Sequence, residues 1–175
     1  MNSVAALTSG DVQYLYAGST PTVNARLGGA DLKIVAVQTN RLEYGVYVAT
    51  DIKTTKELKG KKVTGTRTGA SADTAFRLYL RSVGLAPDKD VVFLAVGGSQ
   101  QGRLSALQSG FVSATVLTPP FGGMAKESGF RELADLRKLD LQYAGSSVAA
   151  LGSFARTRPD VVERFLKGYI EGTYF

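Results

Sequence analysis

Runs with strand character alternate along almost the whole chain with runs that carry the period of a helix. That alternation restricts the possible folds more than any other feature of the sequence. Val12–Ala17, Leu32–Val37, Tyr44–Ala49, Lys62–Gly65, Val91–Val96 and Val112–Leu117 read as strands, rich in β-branched and aromatic residues. Helical segments fall between them: one opening at Pro21 and stopped by Gly28-Gly29, a short one over Thr55–Leu58, one over Ala72–Val83, one through Leu104 and Leu107, and one over Pro120–Ser128. Phe130–Leu136 reads as a strand, or a strand and turn, and Gln142–Leu151 as extended. From Pro159, the residues Val162, Phe165, Leu166, Tyr169 and Ile170 mark a final amphipathic helix. Such an order predicts an α/β protein with mainly parallel sheets. Val91–Val96 is nearly all apolar, as expected of a strand covered on both faces.

The chain also echoes itself. "ALTSGDV" at Ala6–Val12 and "ALQSGFV" at Ala106–Val112 agree at five of seven positions, a hundred residues apart. In each copy Ser-Gly ends a helix and a short strand follows. Each strand then meets a Thr/Pro turn, at Ser19–Pro21 and Thr118–Pro120, and each following helix is stopped by glycine. The echo is either a chance match between two common helix–glycine–strand units or the mark of two related lobes.

"VTGTRTGASADTAFRLYL", Val63 to Leu80, runs from a strand through small residues into a helix with Ala72, Ala75, Phe76, Tyr79, Leu80 and Val83 on one face. Ligands of parallel α/β sheets collect where strands end and helices begin, because first-turn N–H groups lack partners and carry partial positive charge. Thr66, Thr68 and Ser71 supply hydroxyls there, Gly69 permits close backbone approach, and Arg67 adds a cation. Such a turn suits a small anion. Ser71 alone is equally a helix cap, and Asp73 either complements the helix dipole or meets an amine. Only three residues separate the two glycines and no Lys follows, so this is not a P-loop. Thr118, Pro119 and Phe121 form a second candidate contact, where Phe121 either covers an apolar part of the ligand or is a core aromatic. Asn40 and Arg41, near Tyr44, are either a hinge or an exposed turn.

Composition narrows the chemistry. In 175 residues there is no cysteine and no histidine, which removes disulfides, thiol nucleophiles, the usual zinc sites and the commonest general base. No catalytic group, metal ligand or cofactor is read from the sequence. The net charge of +6 is scattered, with one tight cluster at Lys59, Lys61 and Lys62. No basic stripe with interleaved aromatics marks a nucleic-acid binder. "MNSVAALTSGDV" lacks a basic segment followed by a long apolar core, so no signal peptide is read in this chain.

"TTKELKGKKVTGTRTGASADTAFRLYLRSVGLAPDKDV", "ALQSGFVSATVLTPPF" and "RPDVVERFLKGY" together resemble the substrate-binding proteins of ABC importers for nitrate, sulfonates, taurine and related small anions. The resemblance implies a periplasmic-binding-protein-like fold of type II, with two α/β lobes joined by extended crossings near Asn40–Thr50 and Gln142–Leu151, and hinge closure on a ligand. It divides the chain into a remnant of the first lobe and first crossing (1–45), a second lobe (46–143), and a second crossing with a helix returning to the first lobe (144–175). It carries ligand contacts onto Ser19, Thr20 and Pro21 from the first lobe, and onto Thr66, Arg67, Thr68, Gly69, Ser71, Thr118 and Pro119 from the second. It further implies an ABC transporter permease as partner and a periplasmic or extracytoplasmic, membrane-associated location. The first strand–helix–strand of lobe one is missing from the expected pattern, so this lobe reads as incomplete, with an exposed strand edge and self-association as one way to complete it.

Three other functions remain to weigh. A ligand-sensing domain of the same fold would carry a fused signalling segment. The thiamine-pyrimidine synthases share the architecture, but as that family is known they depend on histidine and a cysteine-rich motif. Generic binding to nucleic acid would be strongly salt-dependent.

Overall fold

The computed structural model describes residues 3–140 and 143–174. Gln142, expected to open the second crossing, and the terminal Phe175 lie outside them. The chain forms two compact units, one of Met1–Asn40 with Ala144–Phe175 and the other of Arg41–Tyr143. The change of unit therefore falls five residues ahead of the boundary after residue 45 read from the sequence. The reason is Leu42, whose side chain is buried in the core of the second unit with Val46.

The first unit contains α1 (Ser3–Ser9), β1 (Tyr14–Gly18), α2 (Ser19–Leu27), β2 (Leu32–Val37), then, after the excursion through the other unit, β8 (Ser146–Leu151), α6 (Gly152–Thr157) and α7 (Pro159–Gly172). Helix α6 is not apparent in the sequence. The sheet order is β1-β8-β2, with β8 antiparallel to both neighbours. β1 lies at the sheet's edge. Val4, Leu7, Leu32 and Ala149 make a small core. Tyr14 on β1 stacks on Phe165 of α7 with ring centroids 3.9 Å apart. On the apolar face of α7, Val162, Phe165, Leu166 and Tyr169 are half-buried and Ile170 is exposed, and none of the helix's residues is fully buried.

The second unit contains β3 (Gly45–Val48), a 3-10 turn at Thr55–Leu58, β4 (Lys62–Thr64), α3 (Ser71–Ser82), β5 (Val92–Phe93), α4 (Gln100–Gln108), β6 (Ala114–Leu117), α5 (Phe121–Glu127), β7 (Arg131–Asp135) and a 3-10 turn at Leu136–Lys138. Its sheet order is β5-β4-β6-β3-β7. β4 pairs in parallel with β5 and β6, while β3 runs against both β6 and β7. Four strands thus point one way around a single reversed strand, and the first unit's sheet likewise has its reversed strand, β8, in the middle. The α/β fold with mainly parallel strand directions stands, with each reversal confined to one strand.

Alternation along the strands builds three layers. Val46 and Val48 face a cluster with Phe76, Tyr79 and Leu80 of α3, while Tyr47 between them faces Leu104 and Leu107 of α4 and Ala125 of α5. The apolar run Val91–Val96 is served the same way, with Val91 and Phe93 in the first cluster and Leu94 and Val96 against the second. Only two of its residues form regular strand, because β5 is an edge strand and Val92 stands half exposed.

The sequence echo is also an echo of backbone bonding. Gly10 N–H donates to Leu7 C=O at 3.3 Å and Gly110 N–H to Leu107 C=O at 3.1 Å, while Val12 donates to Ala6 at 3.3 Å and Val112 to Ala106 at 3.2 Å. The correspondence continues past the identical letters. Ala30 N–H donates to Ala25 C=O, and Phe130 N–H to Ala125 C=O, both at 3.0 Å.

Candidate functional site

In the second unit β4, β5 and β6 end at one edge of the sheet, and each is followed by a turn and a helix. β3, being reversed, begins there, with Gly45 opposite Leu117. Tyr44 is thereby placed at the same edge as Thr118. A pocket of about 270 Å3 opens at this point. Thr66, Ala70, Ser71 and Ala72 line it from the turn before α3, Gly98 and Gln100 from the start of α4, and Thr118 from the end of β6. Tyr44 and Arg103 complete the lining.

The turn before α3 is rigid for reasons internal to it. Asp73 is 3% exposed and accepts from the Gly69 backbone N–H and from Arg77 Nε, each at 3.0 Å. Arg77 is in turn tied to Asp88 and lies 4.1 Å above the Phe93 ring. Asp73 is therefore the anchor of the loop. Gly69 takes the left-handed conformation at φ +79° that favours glycine. Gly65 permits the closest approach: a Cβ there would lie 2.5 Å from Asp73 Cα.

The N-cap of α3 is Ala70, which has no side chain able to cap, and Ser71 is the first helical residue. Ser71 is thus not the capping residue and lines the pocket, and the first-turn amides of α3 lack helical acceptors. Helix α4 is capped by Ser99, whose hydroxyl accepts from Gly102 N–H at 3.0 Å. Gln100 follows and makes two bonds to Thr118, donating to its hydroxyl and accepting from its backbone N–H, each at 2.7 Å.

Arg103 is the group sequence reasoning missed. It is 3% exposed, and its Nε donates to Val116 C=O at 3.0 Å. Among the described residues no carboxylate pairs with it. Burial pulls its pKa below the usual arginine value, and only Tyr44 opposes that. Burial likewise raises the Tyr44 pKa, with Arg103 opposing and Tyr143 and Glu43 adding to the rise. An arginine remains charged under these conditions. A buried cation without an anionic partner is costly, and this one lies on a pocket flanked by two helix starts. The available signal was its helical spacing to Ala106 and Leu107, both buried.

Of the expected contacts, Thr66, Ser71 and Thr118 come together in this pocket. Arg67 is exposed and lines a neighbouring hollow with Thr66. Thr68 is exposed on the turn. Gly69 donates its amide to Asp73. Pro119 is joined to Pro120 by a cis peptide and lines a different hollow beside Tyr47. Phe121 is half-buried against the α4–α5 core cluster. Ser19, Thr20, Pro21 and Asn40 belong to the first unit. Ser19 there donates its hydroxyl to Ala144 C=O and its N–H to Gly145 C=O, Thr20 is buried, and Asn40 is exposed.

A family model described as NMT1/THI5 like matches residues 1–175. A search of curated protein sequences gave no match. Among solved structures, the chain is similar to the periplasmic aliphatic sulphonate binding protein SsuA from Escherichia coli, at 27% identity and TM-score 0.80, covering 96% of this chain and 57% of that one. It is similar to the alkanesulfonate-binding protein SsuA from Xanthomonas axonopodis pv. citri bound to MOPS, at 24% identity and TM-score 0.78, covering 94% and 56%. It is also similar to the desulfurization enzyme DSZB, at 16% identity and TM-score 0.59, covering 86% and 58%. The last two likenesses concern the fold alone. The chain spans a little over half the length of each of these structures.

Proposed function

The chain belongs to the NMT1/THI5-like family, and from that premise we propose that it is the solute-binding component of an ABC importer, binding a small organic anion of the sulfonate kind in the pocket of its second unit. The observation that carries this reading is Arg103, a buried guanidinium with no carboxylate partner among the described residues. An anionic headgroup supplies the missing charge. The Ser71 and Thr118 hydroxyls and the first-turn amides of α3 supply hydrogen bonds to its oxygens. A hydrogen bond to a charged group contributes roughly 1.5–3 kcal/mol, more than a neutral one. Tyr44, Ala70 and Ala72 give the pocket an apolar wall for a carbon substituent. Capture requires no reaction, only the donors that this lining supplies. The proposed partner is the importer's permease and the proposed location is periplasmic.

The experiment is a melting-temperature panel of the full chain against nitrate, small sulfonates, carboxylates and aromatic acids. A ligand that binds the native state alone raises the midpoint, by an amount set by its concentration relative to Kd. At least one sulfonate is expected to shift it. No shift from any anion, at millimolar concentration, defeats the proposal.

A further inference from the structure

A second hollow, of about 420 Å3, adjoins the Arg103 pocket. The two share three lining residues, Thr66, Ala70 and Gly98. Beyond them the second hollow is lined by Ala95, Gly97 and Arg67. The two hollows meet across the shared small residues to form one trough, with Arg103 lining only the first hollow and Arg67 only the second. The two arginines differ. Arg103 is buried, whereas Arg67 is exposed and makes no side-chain hydrogen bond or ion pair among the described residues. A compact anion satisfies Arg103 and leaves the second hollow empty.

We propose that the ligand is an elongated organic dianion, of the α,ω-disulfonate or sulfocarboxylate class, with one charged end at Arg103 and the other at Arg67. The inference rests on the assignment of the Arg103 pocket as an anion site and names the class of solute it takes. Two like charges on one molecule repel, and they are best accommodated where separated cations meet each of them. The small residues along the trough leave space for the connecting carbon chain. Arg67 is the specificity-determining residue, since it distinguishes a dianion from a monoanion of equal length. Because it is exposed, its contribution is modest.

Gly98 makes the idea testable without disturbing the fold. A Cβ at Gly98 would meet nothing within 4 Å, and its φ lies outside the left-handed range that favours glycine. A larger side chain there enters the trough and not the protein. The probes are methanesulfonate, butanesulfonate, butane-disulfonate and hexane-disulfonate, titrated calorimetrically into the full chain and into Arg67→Gln and Gly98→Leu. The wild type is expected to bind a disulfonate roughly fivefold more tightly than the monosulfonate of the same length, the scale of one exposed ion pair. Arg67→Gln is expected to erase that preference and leave methanesulfonate unchanged. Gly98→Leu, at a residue that lines both hollows, is expected to weaken the disulfonates by about tenfold or more through steric exclusion. Equal affinity for mono- and disulfonates in the wild type, or a preference that survives Arg67→Gln, overturns this inference while methanesulfonate binding upholds the anion site. Binding of none of the four overturns both.

Discussion

Gln100 and Thr118 hold one another through two hydrogen bonds of 2.7 Å, the side-chain amide donating to the threonine hydroxyl and its carbonyl accepting the threonine N–H. The threonine oxygen is thus already an acceptor. Its own proton has only a long contact to Pro119 C=O, at 3.4 Å, and is free to serve a ligand. A glutamine at the start of α4 therefore fixes the polarity of a hydroxyl at the end of β6.

Replacing Gln100 by Glu keeps the shape and reverses this polarity. The carboxylate accepts from both Thr118 groups and turns the hydroxyl away from the ligand, beside a new negative charge. Gln100→Glu is expected to abolish anion binding with the fold retained. Gln100→Leu removes both bonds and is expected to cost about 1–2 kcal/mol of stability. Urea denaturation and calorimetric titration separate the two effects, and a Gln100→Glu protein that binds like wild type contradicts the assigned polarity.

Arg103→Met retains much of the side chain's volume and removes its charge. Loss of a charged contact of roughly 1.5–3 kcal/mol corresponds to anion affinity about tenfold to a hundredfold weaker. Without ligand the variant should lie within about 1 kcal/mol of wild type, because relief of burial offsets loss of the bond to Val116. A large loss of stability with unaltered binding would make Arg103 a structural group.

Gly65 tests whether the geometry of the turn matters to binding. A Cβ there would press on Asp73 Cα at 2.5 Å and Asp73 N at 2.7 Å, both backbone atoms that cannot rotate aside. Gly65→Ala should cost about 1–3 kcal/mol in a chemical melt, as overpacking does, and weaken anion binding. Gly98→Ala, which points into open space, is the matched control and should leave stability nearly unchanged.

In the first unit, Asp31 is held below the usual carboxylate range, chiefly by its hydrogen bond from Arg156. A depressed folded pKa gives stabilisation that is present above the unfolded value of about 3.9 and lost as pH falls through the folded one. Asp31→Asn should therefore lower the melting temperature slightly at neutral pH, with the difference from wild type closing in strong acid. A difference that persists unchanged in acid would assign the effect to packing against Gly152, whose backbone lies beside the Asp31 carboxylate.

Local pattern was enough to find β2, the 3-10 turn at Thr55–Leu58, helix α3 and the turn that precedes it. Each of these is specified by neighbours in sequence. Thr66, Ser71 and Thr118 were legible for the same reason, since strand-to-helix turns announce themselves. The directions of β3 and β8 were not legible, because a strand's orientation depends on partners far along the chain. Tyr44 reaches the site only through that reversal. A single arginine on a helix also reads as a solvated charge, and Arg103 turns inward because Val116 C=O awaits it on β6.

The bonds shared by residues 6–30 and 106–130 have a further consequence. The same frame of backbone bonds carries different residues between its strand and second helix: Ser19 and Thr20 in one copy, Pro119 and Pro120 in the other. Side chains at the two tips thus differ in kind while the bonds that frame them match. New chemistry can arise at either tip without any fresh solution to the problem of folding.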